Sequence, residues 1–263
     1  MAVPRLSIII VSYNSQDFIE KCLNSVLKNV PAAEIIVLDN ASKDKTAEKL
    51  KKFLPKITLV ESEKNLGFSK GNNRAVKEAR GEYLFFLNPD TELKKPINEL
   101  IDFYEKKSDS GIVAPKLILE NGETQPSVRK LPTVWGAFKE YILGVKNSYN
   151  QYIPEGGDPM EVEMVYGAAI LIKRDLFEKL GGFDEKYFLY YEDAELCKRV
   201  RDLSKKIYYY PKISINHLVG AAQSQLDRNT LNNQSLLTYH GLLGAFCLQV
   251  IFFVHRIANK LTK

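Results

Sequence analysis

The sequence predicts an α/β fold built on a mainly parallel central sheet flanked by helices. Strand-like and helix-like periods alternate over about 90 residues at the N-terminal side, the pattern of repeated strand–helix–strand units. The strand candidates are continuous β-branched or aromatic runs, as expected of parallel strands buried on both faces. Several of them end on an acidic or amide residue, and open sheets of this class bind ligands at that rim.

The elements follow in order. Ser7 to Ser12 is the first strand, and Phe18, Ile19, Cys22, Leu23, Val26 and Leu27 recur at helical spacing behind it. Glu34 to Leu38 is a second strand, with Ser42 as the expected cap of a helix from Lys43 to Phe53. Ile57 to Glu61, a helix through Asn72 to Ala79, and Glu82 to Leu87 continue the alternation. A helix near Ile97 to Lys106 and a strand near Ile112 to Leu119 come next. Glu120 to Asp158 is rich in turn formers and aromatics and reads as a long excursion of the lid or binding-loop kind. Val162 to Lys173 is expected as one strand, Glu192 to Leu203 as a helix, and Ile213 to Asn216 as a strand ending at His217.

Composition bounds the classes. The 263 residues are 45% hydrophobic and 26% charged, enough for one full core with an appendage. A net charge of +5 without a basic block gives no case for nucleic acid, though it suits an anionic ligand or membrane surface. Cys22, Cys197 and Cys247 lie far apart inside apolar patterns, which points to a reducing, cytoplasmic setting. The opening residues do not read as a signal peptide. Near the other end, Leu242 to Val254 is apolar apart from Gln249 and is followed by His255, Arg256, Lys260 and Lys263. That run is short for a membrane span, so an interfacial or docked helix is expected.

The chemistry is concentrated at element ends. Phe85-Phe86-Leu87-Asn88-Pro89-Asp90 is an apolar strand stopped by proline, which removes a ladder donor and holds Asn88 extended. Asp90 then fits two roles, a cap of the following segment or a cation ligand at a diphosphate. Asp39 closes the second strand and fits either an Asx turn or a hydrogen bond to a ribose or base edge. The Asn65-Leu66-Gly67-Phe68-Ser69-Lys70-Gly71-Asn72-Asn73 loop offers small residues and backbone donors leading into a helix N-terminus, without the spacing of a P-loop or Rossmann fingerprint. Glu192, Asp193 and Glu195 follow an aromatic stretch, where they serve either the helix dipole or general-base chemistry. His217 is a metal ligand or a strand-end histidine; His240 and His255 read as structural.

Taken together these pieces resemble the family 2 glycosyltransferases with the GT-A fold. The residues that carry the likeness are Ile8 to Asn14, Val37-Leu38-Asp39-Asn40-Ala41-Ser42, Asn65-Leu66-Gly67-Phe68, Asn88-Pro89-Asp90 and Tyr191-Glu192-Asp193. The Asn-Pro-Asp form of the metal motif, Gln125 to Arg129 and Phe188 to Cys197 look like the rhamnosyltransferase branch. The resemblance spans Leu6 to Ser224 and implies a GT-A domain over 1–225. Its nucleotide-sugar half is about 1–118, its acceptor half about 119–225, and a helical extension covers 226–263. It implies an inverting transferase moving a sugar, L-rhamnose from dTDP-L-rhamnose first, from a nucleotide diphosphate donor to a hydroxyl. The acceptor is a glycan or a polyprenyl-diphosphate-linked sugar in cell-surface polysaccharide synthesis. UDP- and GDP-sugars, and a non-catalytic protein of the same fold, stand as alternatives. A nucleotide-sugar pyrophosphorylase would carry a glycine-rich N-terminal loop, and Ser7 to Ser15 has none.

The same resemblance implies Ser12, Tyr13, Asn14, Asp39, Asn65, Gly67, Lys70 and Asn88 on the nucleotide, with Asp90 and His217 on Mg²⁺ or Mn²⁺. Asp193 would be the catalytic base, with Glu192 as support. Arg129, Trp135 and Tyr191 would meet the acceptor. One departure is visible: Asn88 stands where the family's metal motif has its first acid. The implied location is the cytoplasm, with the C-terminal helix at the inner membrane face or in a homodimer interface.

Overall fold

The computed structural model of the protein describes residues 4–218 and 228–261. The expected boundary at 225/226, Ser224 and Lys263 lie outside them. Strands β1 (Leu6–Ser12), β2 (Glu34–Asp39), β3 (Thr58–Glu61) and β4 (Tyr83–Leu87) pair in parallel in the order β3-β2-β1-β4. Between them run α1 (Ile19–Asn29), α2 (Thr46–Lys51) and α3 (Gly67–Val76). Successive residues of these strands serve opposite faces, as a pleated strand requires. Ile8, Ile10, Val37, Phe85 and Leu87 pack toward α1, whereas Ile9, Ile36, Leu38, Leu84 and Phe86 pack toward α3. The chain turns one way from β1 to β2 and the other way to reach β4. The crevice between β1 and β4 is therefore the switch point where such sheets take ligands.

Beyond β4 the sheet is mixed. It continues β10-β6-β11-β5 through β10 (Ala169–Lys173), β6 (Ser110–Ile118), β11 (Lys206–His217) and β5 (Thr91–Leu93), and β8 (Met160–Val162) adds to β11. The β10 pairings are antiparallel, and β11 runs parallel to β6 but antiparallel to β5. Helices α4 (Asn98–Lys106), α6 (Arg174–Lys179) and α7 (Glu192–Asp202) flank this half. A separate ribbon pairs β7 (Val128–Arg129) with β9 (Met164–Val165). Helix α5 (Val134–Tyr141) packs against α8 (Arg228–Leu261) through Ala137, Tyr149, Leu236, Ala245, Leu248 and Ile251.

Four local expectations are corrected. Helix α2 starts at Thr46, not Lys43, because Ser42 is used elsewhere: its Oγ accepts the Asn14 N–H at 3.0 Å while Asp44 Oδ1 takes the Thr46 N–H at 2.9 Å. Helix α3 begins at Gly67, so most of the expected glycine-rich loop is its first two turns. The single strand expected over Val162 to Lys173 is broken at Glu163 and again at Tyr166–Ala168, where the Gly167 N–H donates to Asp193. The last strand begins at Lys206, well before Ile213, because its tyrosines 208 to 210 pair with β6 and β8.

Helix α8 has a non-helical residue, Gly241 (φ 68°), about a third of the way along. The rest continues past the expected apolar run to Leu261. By length and composition its Asn229–Lys260 stretch suffices to cross a membrane, with a mean hydropathy of 1.7 in its most apolar window. One of its faces is docked on α5.

Candidate active site

A cavity of about 440 Å³ opens over the C-terminal ends of β1 and β4. Its walls come from Tyr13 after β1, Asn40 after β2, Asn65 before α3 and Gly67 at its start, and Asn88 to Asp90 after β4. Arg129, Tyr166, the segment Phe188 to Ala194, His217 and Asn232 complete it. That size is within the range of small-molecule sites.

Asp90 is placed by a tight turn. Asn88 is held by its N–H to Ala168 O at 2.9 Å, and Thr91 Oγ1 returns a hydrogen bond to Asn88 O at 2.7 Å. β5 then leaves antiparallel to β11 with Thr91 opposite His217, and Leu218 N–H donates to Asp90 O at 2.8 Å. The register brings His217 Nε2 to 3.4 Å from Asp90 Oδ1, both side chains about nine-tenths buried. His217 Nδ1 lies 2.8 Å from Gln125 Oε1, which accepts the Nδ1 proton and turns Nε2 toward Asp90. One carboxylate and one oriented imidazole suit a cation that takes its other ligands from a diphosphate and water. No group of three His, Cys, Asp or Glu side chains gathers for a metal among the described residues.

On the opposite wall, Tyr190 (φ 72°) and Tyr191 (φ 67°) both occupy the left-handed region before α7. Each non-glycine residue there costs roughly 1–3 kcal/mol, and such strain gathers at functional sites. The turn sets Glu192 and Asp193 in the first turn of α7. Asp193 accepts the Ala194 N–H at 2.8 Å and the Gly167 N–H at 3.3 Å. Burial pushes the Asp193 carboxyl up, while those two N–H groups and the Arg129 charge pull it back. Burial, then the neighbouring Asp193, push Glu192 much further, well above the usual carboxylate range, and Glu192 Oε2 has no hydrogen-bond partner. Of the pair, Glu192 is the harder to ionise, being pushed up by both burial and the Asp193 charge.

The nucleotide-side residues divide. Tyr13, Asn65, Gly67 and Asn88 line the cavity; Ser12, Asn14, Asp39 and Lys70 do not. Ser12 is fully buried, and Asn14 is tied to the α2 corner through Lys43 N–H at 2.8 Å. Asp39 is 4% exposed, burial raises its pKa, and its Oδ1 is left without a partner, an unused acceptor at the strand end. Lys70 projects outward from α3, 3.8 Å from Glu185. Of the acceptor candidates, Arg129 and Tyr191 line the cavity, whereas Trp135 is 59% exposed on α5 and stacks on Phe138.

Two residues escaped the sequence reading. Asn40 Nδ2 bonds Asn65 Oδ1 at 2.9 Å and Gly67 O at 3.1 Å, and its Oδ1 takes the Leu66 N–H at 2.7 Å. It thereby fixes the wall between β2 and α3. Gln125, which orients His217, is the other. Both lie inside motifs noted from the sequence, but their targets are distant in the chain.

The model of the family described as "Glycosyl transferase family 2" matches residues 7–181, well over half of the chain. The chain belongs to this family. Relatives within the family 2 glycosyltransferases include the N-acetylglucosaminyl-diphospho-decaprenol L-rhamnosyltransferase of Mycobacterium tuberculosis. It is 26% identical over 231 residues, which cover 81% of this chain and 75% of that protein. The rhamnosyltransferase WbbL of Escherichia coli K12 is 28% identical, covering 80% and 82%. A low-salt glycan biosynthesis hexosyltransferase of Haloferax volcanii is 33% identical, covering 74% and 61%. Among solved structures, GalNAc-T7 with UDP, GalNAc and Mn²⁺ superposes with a TM-score of 0.64 at 18% identity, over 81% of this chain and 43% of that one. The mannosyltransferase PcManGT of Pyrobaculum calidifontis with GDP-Man and Mn²⁺ gives 0.58 at 17% identity, over 94% and 64%. The architecture is the GT-A fold expected from the sequence.

Proposed function

We propose that this family 2 glycosyltransferase moves L-rhamnose from dTDP-L-rhamnose, with inversion, to a hydroxyl of a lipid-linked or glycan acceptor in cell-surface polysaccharide synthesis. The observation that carries the proposal is one cavity walled by a buried, dissociable Asp193 on one side and the Asp90–His217 pair on the other. The rhamnosyltransferase relatives support the sugar. Tyr13, Asn65, Gly67 and Asn88 would receive the nucleotide diphosphate along the β1, β2 and β4 ends, with the unused Asp39 Oδ1 as an acceptor for ribose or base.

Asp193 accepts the proton of the attacking hydroxyl as that oxygen bonds to the anomeric carbon and the bond to the diphosphate breaks. The Ala194 and Gly167 N–H groups hold its carboxylate in place through this step. Glu192, which burial and the neighbouring Asp193 make much harder to ionise, does not compete for that proton. Asp90 and His217 would hold Mg²⁺ or Mn²⁺, which when bound neutralises charge on the departing diphosphate. The neighbours solved with Mn²⁺ and a nucleotide or nucleotide sugar support that use of the pair.

The α5–α8 face supports a site at the cytoplasmic membrane surface. Leu143, Leu242, Leu243, Phe246 and Phe253 are each at least 57% exposed there. Residues 228–261 contain no Asp or Glu, and Arg256 and Lys260 follow the apolar run. An apolar face with basic residues and no acids favours an anionic bilayer over a second copy of itself, which would bring like charges together. Deleting residues 236–263 should abolish flotation with anionic liposomes; unchanged flotation refutes the membrane role, and a monomer-to-dimer difference would establish the homodimer instead.

A thermal-shift screen of nucleoside diphosphates and their sugars with Mg²⁺ or Mn²⁺, followed by transfer assays, tests the function. The cognate donor raises the melting temperature by mass action. Selective stabilisation by UDP- or GDP-sugars would replace dTDP-rhamnose, and no stabilisation by any would overturn the transferase reading in favour of a non-catalytic protein.

A further inference from the structure

We infer that Arg129 forms a second anion site in the cavity, separate from the donor's, which takes the phosphate or diphosphate ester of the acceptor. The inference rests on the transferase reading for the name of the ligand, but not for the existence of the site. Arg129 ends β7, where pairing with Met164 of β9 fixes its backbone. Its guanidinium lies 4.9 Å over the ring of Tyr149. Its Nε and Nη2 are buried and make no hydrogen bond. A guanidinium cannot shed its proton, so burying it without a partner is costly and leaves a strong demand for an anion.

The nearby acids do not meet that demand. Glu140 is engaged by the backbone N–H groups of Ser148, Tyr149 and Asn150 at 2.6–3.0 Å. Glu163 takes the Leu131 N–H at 3.0 Å. Asp193 feels the Arg129 charge, yet no carboxylate is within ion-pair distance of it among the described residues. Arg129 lines the cavity beside Gln151, Tyr166, Tyr191 and Asn232 with its guanidinium set over Tyr149, and a planar fork of donors suits bidentate phosphate contact. The donor diphosphate has its own anchor in Asp90 and His217, on a different sheet. An anion at Arg129 would thus belong to the molecule whose hydroxyl meets Asp193.

The test uses the full chain with its donor site saturated by dTDP and Mg²⁺, titrated calorimetrically with geranyl diphosphate, geranyl monophosphate and geraniol. Wild type should bind the phosphate esters well and geraniol far more weakly. Arg129→Gln should weaken geranyl diphosphate about ten- to hundredfold, with dTDP affinity unchanged. Arg129→Lys keeps the charge but not the fork, so it should show a smaller loss; it also decides the matter should Arg129→Gln not fold. Equal affinity of the variants for geranyl diphosphate would overturn the site. A loss of dTDP affinity instead would assign Arg129 to the donor, and equal binding of geraniol would assign the signal to apolar surface. Should no nucleotide bind, the transferase reading fails, while the same titration without dTDP still decides whether Arg129 holds an anion.

Discussion

Replacing Asp193 by Asn separates chemistry from structure at this site. The wild-type carboxylate accepts two N–H groups, from Ala194 at 2.8 Å and from Gly167 at 3.3 Å. An Asn side chain can turn its oxygen to only one of them. Keeping the shorter contact costs the longer one, about 1 kcal/mol. Against this, the buried negative charge, which already raises the Asp193 pKa, disappears. The two effects oppose, so the melting temperature should move by no more than about 4 °C. Turnover is another matter, because an amide cannot accept the hydroxyl proton. Loss of a general base costs about 10²–10⁴-fold, roughly 3–5 kcal/mol of barrier. The measurements are transfer rate by mass spectrometry, donor affinity by calorimetry and melting by scanning fluorimetry. A folded Asp193→Asn protein with turnover within tenfold of wild type would refute the base assignment. A fall in donor affinity as large as the fall in turnover would move Asp193 to binding.

The remaining predictions concern the other wall and the joints. Asp90→Ala should bind the nucleoside diphosphate weakly and indifferently to EDTA, whereas wild type loses affinity on chelation. Gln125→Leu should weaken metal-dependent binding about tenfold by freeing the His217 ring, and a calorimetric titration with Mn²⁺ in the presence of nucleotide reads it out. Glu192 has a folded pKa raised above 4.5, so its protonation stabilises the fold fully below 4.5 and that contribution is lost as pH rises through the folded value. Glu192→Gln should therefore gain melting temperature over wild type as pH rises above 4.5, and a pH-independent difference would contradict the shift. Gly67→Ala would place a Cβ 2.4 Å from Phe188 O at φ +78°, and would disturb the Phe68 N–H to Phe188 O bond. Strain of about 1–2 kcal/mol and about 1 kcal/mol for the bond should lower the melting temperature by roughly 5–10 °C.

The legible parts of the site were those fixed by neighbours in the chain. Asp90 could be placed from the apolar run and Pro89 because strand termination is local, and Glu192-Asp193 could be set at a helix start for the same reason. Lys70 shows the limit. Its loop was read from two glycines, but Gly67 opens α3 and Gly71 lies within it, where an added Cβ would meet Val11 at 3.0 Å. Helical geometry then turns Lys70 to solvent beside Glu185, away from the cavity. Trp135 was expected beside Arg129 at the acceptor, yet α5 carries it to the outer surface.

By itself the sequence determined the alternation of strands and helices, the parallel N-terminal half, the strand-end acids and the family they belong to. Periodicity and turn chemistry are short-range and survive without knowledge of the partner. Only the tertiary structure decided which of those ends meet. The β5–β11 register joins His217 to Asp90, Gln125 turns the imidazole toward it, and the break before β10 gives Asp193 its Gly167 contact. It also decided that Arg129 Nε and Nη2 are buried without a counter-charge, while Glu140 and Glu163 are spent on backbone amides. Pairing across a hundred residues and the dielectric around a buried charge are properties of the packed chain, and no local pattern encodes them.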